Sequence, residues 1–128
     1  MLEQISAYLE AQGIGTADDI CIGLMPDKPD DCIALFEYAG SPIPLHWAGE
    51  YPGLQVRVRG SSYSTGRDKI GAIVTALHGL HDQVLTVGKS DGTRYLLIRA
   101  RGTPELLNRD ASDRVEFVVN FEIIKERE

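Results

Sequence analysis

The chain has 128 residues, 43% hydrophobic and 25% charged, with a net charge of −6. That length suits one domain spanning 1–128, able to bury a core without staples. No apolar run approaches the roughly 18 residues that cross a bilayer, and the acidic balance argues against a general nucleic-acid binder.

The charge is unevenly spread. Residues 1–50 hold nine acidic residues and one basic, whereas 51–128 hold twelve basic and ten acidic. Unlike surfaces of this kind can pair within one fold or between copies, acidic part to basic part, in a head-to-tail ring.

The N-terminus, MLEQISAYLEAQG, lacks a basic segment followed by an apolar one, so no signal peptide is expected and cytoplasmic synthesis is the default. Leu2, Ile5, Leu9 and Gln12 fall on one face of a helix over 2–12, which Gly13 and Gly15 end. ADDICIGLM contains a short strand, PDKPDD is a turn, and CIALFEY is a second strand (32–38) expected to form a hairpin with the first. Cys21 and Cys32 lie in these segments and read as buried free thiols.

Residues 39–52 contain three prolines and read as a long irregular loop, the kind that carries function in a compact domain; His46 and Trp47 lie in it. EYPGLQVRVRG then alternates with period two. Leu54, Val56 and Val58 face a core, while Gln55, Arg57 and Arg59 face away from it.

SSYSTGRDKIGAIVTALHGL is the longest helix pattern, with Ile70, Ile73, Val74, Leu77 and Leu80 in one stripe. Thr65 and Asp68 have capping-box spacing, and Gly71 and Ala72 are small enough for a sheet to come close. QVLTVGKSDGTRYLLIRARG reads as strand, KSDG turn, strand. TPELLNRDASDR is a turn-rich link. In RVEFVVNFEII, Val115, Phe117, Val119, Phe121 and Ile123 face one way. The order α-β-β-β-α-β-β-β predicts an α+β fold: a mainly antiparallel sheet with one long helix and an N-terminal helix packed on it.

Chemistry-bearing patterns are sparse. His78 and His81, three apart near a helix end, could share a metal, but only Asp82 lies close in sequence. Cys32 and His46 could form a nucleophile and base, yet neither carries a local mark of activation. No phosphate-cradling, dinucleotide or zinc-protease motif occurs. The residues therefore predict no enzyme, no metal and no cofactor; a small cytosolic enzyme using Cys32 or the His78/His81 pair, and a stand-alone adaptor domain, stand as alternatives. Arg57, Arg59, Arg99 and Arg101 form one patch if their strands are neighbours, with Arg67 and Lys69 extending it. Such a patch either pairs with Glu116 and Glu122 in its own sheet or meets another protein.

YPGLQVRVRG, a helix ending in ALHGL, the later TPELLNRDASDR and the closing FVVNFEI together resemble the tailed-phage minor capsid or tail-terminator family, over roughly residues 30–123. Asn108 stands where that pattern often has glycine, and asparagine tolerates the left-handed conformation a glycine would supply. The resemblance implies a structural protein of a phage or prophage that caps the tail tube, often as a six-membered ring, and joins it to the head connector. Its partners would be other copies of itself, the tube protein and the connector protein, with DNA only passing through the lumen and no membrane involved. It would be located in the virion, and in the host cytoplasm during assembly. Gln55, Arg57, Arg59, Arg99, Arg101, Trp47 and His46 are the residues expected at subunit or tube contacts.

Overall fold

The computed structural model describes residues 1–88 and 91–128. The elements run α1 (Leu2–Ala11), β1 (Ile20–Ile22), β2 (Cys32–Ser41), β3 (Gly49–Gly60), α2 (Tyr63–Leu77), β4 (His81–Leu85), β5 (Thr93–Ala100), β6 (Glu105–Arg109) and β7 (Val115–Glu126). The α+β fold is as expected, with one strand more than the sequence suggests: β6 lies in the turn-rich link. Nothing in ELLNR alternates, and every residue of it is exposed, so pairing with β7 alone makes it a strand.

The sheet runs β1-β2-β3-β7-β5-β4, and β6 joins β7 beyond the end of β5. All pairings are antiparallel except one. β1 and β2 are parallel, not a hairpin, with Ile20 opposite Ile33 and Ile22 opposite Leu35. The 23–31 segment must therefore carry the chain back before β2 begins. Cys21 lies opposite Ala34, and both cysteines are free.

Both helices cover one face. α2 lies on β3, β7 and β5, while α1 touches β1 and β2 as well as β4, at opposite ends of the strand order, so the sheet curls around it. Between them lie Ile5, Leu9, Leu35, Leu54, Val56, Ile70, Ile73, Leu77, Phe117, Phe121 and Ile123, all essentially without solvent contact. Val74 and Leu80 pack on the rim of this core. A buried polar chain ties α1 to β5: Tyr95 Oη donates to Gln4 Oε1 at 2.7 Å, and Gln4 Nε2 donates to Thr93 Oγ1 at 2.9 Å. Burial pushes the Tyr95 hydroxyl well above its ordinary pKa.

Several boundaries differ from expectation. Ser62, not Thr65, caps α2: its Oγ accepts from Thr65 N at 3.2 Å, which satisfies one orphan N–H of the first turn. Gly66, rather than Gly71 or Ala72, sits at the close approach, where an added Cβ would lie 3.0 Å from the Phe117 ring. α2 stops at Leu77 because the chain turns at His78 and Gly79, the latter at φ +86°. The irregular segment expected over 39–52 shrinks to 42–48, since β2 continues to Ser41 and β3 starts at Gly49. Pro52 is tolerated within β3 because neither flanking ladder pairs at that position. Asn108 lies within β6, and Asp113, at φ +64°, takes the left-handed position of that turn. β4 and β5 pair as expected, but Lys89 and Ser90 of the KSDG turn lie outside the described residues.

Candidate functional site

Alternation along β3 and β7 leaves one face of the sheet free of helices. Cys32, Ala34, Phe36 and Tyr38 of β2 share it with Gln55, Arg57 and Arg59 of β3, Glu116, Val118, Asn120 and Glu122 of β7, and Arg99 of β5. Arg57, Arg59 and Arg99 share this face, but their strands are not neighbours: β7 lies between β3 and β5, with Arg57 opposite Val118 and Arg99 opposite Glu122. What each guanidinium does there differs.

Arg57 Nη2 pairs with Glu116 Oε1 at 2.8 Å and stacks 5.7 Å from the Phe36 ring centre. Arg59 is only 5% exposed. It donates to the carbonyl oxygens of Pro29 at 2.6 Å, Asp30 at 3.0 Å and Asp27 at 3.1 Å, so it staples the 23–31 segment over the end of this face. As an outward contact residue Arg59 is thus corrected: its charge points into its own chain. Of the two anticipated carboxylate partners, Glu116 takes Arg57, while Glu122 pairs with Arg99. Gln55 Nε2 donates to Asn120 Oδ1 at 3.3 Å. Arg101, just past β5, is exposed and has no ion-pair partner among the described residues.

Arg67 and Lys69 do not extend the patch. They lie on α2, which covers the other face, and Lys69 Nζ donates to the Ile14 carbonyl at 2.6 Å.

Arg114, the centre of the RDASDR stretch, completes the staple. Its Nε bonds Asp110 Oδ2 at 2.8 Å, while its two Nη atoms pair with Asp27 and Asp30, each at 3.2 Å. Asp30 is held below the usual carboxylate range, first by Lys28 at 3.0 Å and then by Arg114. Asp110 is lowered mainly by the Arg114 N–H. The run of aspartates in PDKPDD signalled only a turn; its use as a ligand set for Arg59 and Arg114 depends on contacts 29 to 87 residues apart in sequence, which no local pattern carries.

In the 42–48 segment, Trp47 Nε1 donates to Tyr51 Oη at 3.1 Å, and the indole lies flat where a Gly49 Cβ would be, about 1.8 Å from its nearest ring atom. His46 is exposed beside it. Ile43, at 58%, and Leu45, fully exposed, present apolar side chains to solvent.

The catalytic alternatives find no geometry. Cys32 opens β2, and His46 lies in the segment past its far end, ten strand residues (Cys32–Ser41) or about 30 Å away along the strand. Cys32 is buried with Sγ 3.2 Å from Met25 Sδ, and burial raises its thiol pKa. His78 and His81 do not share a helix face, since His78 caps α2 and His81 opens β4. His78 Nδ1 accepts from Ala100 N at 3.0 Å, and His81 Nδ1 lies 3.0 Å from Gly79 O. Among the described residues no group of three metal-ligating side chains converges.

Fold and face together give an α+β domain with a largely polar, partly concave sheet surface. Residues 8–127 match the family model described as bacteriophage tail terminator protein, and the chain belongs to that family. Comparison with curated proteins gives no significant match. Among solved structures, a chain from the virion of a native gene transfer agent particle has the same fold, with a TM-score of 0.69 at 14% identity, over 96% of this chain and 92% of that one. The protein is a structural component of a phage-type tail.

Proposed function

We propose that this chain, as a single domain over 1–128, caps the tail tube as a ring of copies, joins it to the head connector, and leaves a lumen through which DNA passes. The observation that carries the reading is the family match over residues 8–127. The likeness in fold to a chain of a gene transfer agent virion supports a place in the particle, reached from the host cytoplasm during assembly. The contact surface is the helix-free sheet face and the adjoining 42–48 segment: Gln55, Arg57, Arg99 and Arg101, with His46 and Trp47. Arg59 serves that surface from below by fixing the 23–31 segment. The reading gives the chain no catalytic step and no cofactor.

Tube protein assembled with and without this chain tests it. With the chain present, electron micrographs should show tubes of uniform length ending in a distinct ring and able to attach to heads. Tubes of the same length distribution and the same attachment without it overturn the reading.

A further inference from the structure

Two edges of the sheet end without a neighbour. β6 pairs with β7 and, among the described residues, with no other strand, so the outward N–H and C=O groups of Glu105–Arg109 are unpaired. β1 covers β2 only from Ile33 to Leu35, so from Glu37 to Ser41 the outer side of β2 is open as well. Ile33 N–H donates to Asp19 O, and Leu35 O accepts from Gly23 N–H. Alternate residues of β2 thus aim their backbone groups outward, and Glu37 is the next in that series. An unpaired edge of this kind is a template for another strand.

The two edges match in direction, side and charge. β2, β3, β7 and β6 alternate in direction, so β6 runs antiparallel to β2, on the opposite flank of the β3–β7 pair. Arg109 lies opposite Val115 and Glu37 opposite Leu54, both buried core residues, so the two charges are on the helix-bearing side of the sheet. Asn108, opposite Glu116, and Tyr38, opposite Gly53, are on the helix-free side. Setting Arg109 beside Glu37 therefore sets Asn108 beside Tyr38, with the sides in agreement. Leu106 is 53% exposed and Leu107 44%, and the same register lays them against Ala39 and Gly40, which are exposed and small. Glu37 has no ion-pair partner among the described residues, and Arg109 holds only Asp113, a surface pair at 3.0 Å that contributes little.

The remaining edges match less well. β1 is three residues long, and β4 is interrupted by Asp82 at φ +46°. Through β3, Glu37 and Tyr38 are level with Phe121 and Glu122 of β7, whereas β6 is level with 115–118. Joining the two edges staggers neighbouring copies along the strands, as a closed sheet requires, and carries β1 beyond Arg109 instead of against β6.

We propose that β6 of one copy pairs antiparallel with the open end of β2 of the next, Arg109 beside Glu37, so that the sheets of neighbouring copies join. This rests on the ring reading above and names its contact. Unlike edges meeting at each junction make the contact head-to-tail, the kind that closes into a ring by rotation.

Sedimentation velocity of the full chain up to millimolar concentration, with amide exchange of the associated form, tests the pairing. The wild type should associate, and exchange should slow at 37–39 and 106–109. Arg109→Glu and Glu37→Arg should each weaken association about tenfold with unchanged circular dichroism, because like charges then meet at every junction. An equimolar mixture of the two variants should recover to within about threefold of wild type, since alternating copies restore an opposite pair at each junction. A mixture no stronger than either variant alone, or Arg109→Glu without effect, overturns the pairing. Slowed exchange confined to other segments overturns these edges as the contact. A wild type monomeric throughout overturns a second copy as the occupant, and protection at 106–109 that then appears only with tube protein assigns the edge to a strand of that protein. None of these outcomes touches tube capping, which the tube-length measurement decides separately.

Discussion

Arg59 Nη2 lies 2.6 Å from the carbonyl oxygen of Pro29, and the same side chain reaches the carbonyls of Asp27 and Asp30. One buried cation thus satisfies three backbone acceptors of a segment with no strand or helix of its own. Charged hydrogen bonds of this kind contribute about 1.5–3 kcal/mol each, and the cost of orphaning buried acceptors adds to their loss. Arg59→Ala should lower stability by about 3 kcal/mol, read from urea melts. Arg57→Glu with Arg59→Glu should unfold the chain rather than merely block assembly, since the first reversal also sets a second carboxylate against Glu116. A loss under about 1 kcal/mol for Arg59→Ala would show the staple to be dispensable.

Phe117, on β7, packs against α2, edge-on to Tyr63 at 5.3 Å and under Gly66. Phe117→Ala should cost about 3–5 kcal/mol, because both helix and sheet are held too rigidly to collapse into the space. Denaturant melts of the two proteins check it.

Gly49 leaves room for the Trp47 indole. Gly49→Ala should push the ring off and break its bond to Tyr51, with tryptophan emission moving to the red and iodide quenching increasing, while the core melts as before. An unchanged spectrum would show that the indole does not rest on Gly49.

Acid should loosen the 23–31 segment first. Asp30 and Asp110 are held below their ordinary range in the folded state, so the unfolded chain takes up their protons at higher pH. Their contribution is complete above about pH 4 and disappears as pH falls through their lower folded values. Amide exchange over 23–31 should therefore rise below about pH 4 ahead of the core, and Arg114→Gln should weaken that pH dependence without abolishing it, because Lys28 beside Asp30 and the backbone N–H of residue 114 beside Asp110 remain.

How much was legible in the residues depends on the range of the interaction. Alternation in β3 and β7 named Leu54, Val56, Val58, Phe117 and Phe121 as core correctly, because a strand side chain's direction follows from its position alone. The α2 stripe did the same for Ile70, Ile73 and Leu77. That Arg57 and Arg99 share a face was readable only as a condition on the strand order, which the placement of β7 between β3 and β5 supplies. Absence of catalytic motifs and the family likeness rested on the same local patterns.

Tertiary structure decided the rest. The parallel sense of β1 against β2 depends on where the 23–31 segment returns, and that is set by Arg59 and Arg114 from distant strands. β6 exists because β7 offers it an edge, not because ELLNR favours a strand. Two arginines two residues apart received opposite uses, Arg57 beside Glu116 and Arg59 beneath a loop, because alternation fixes only which side a residue faces, while the chain that crosses that side determines whether its charge meets a carboxylate, a carbonyl or open solvent.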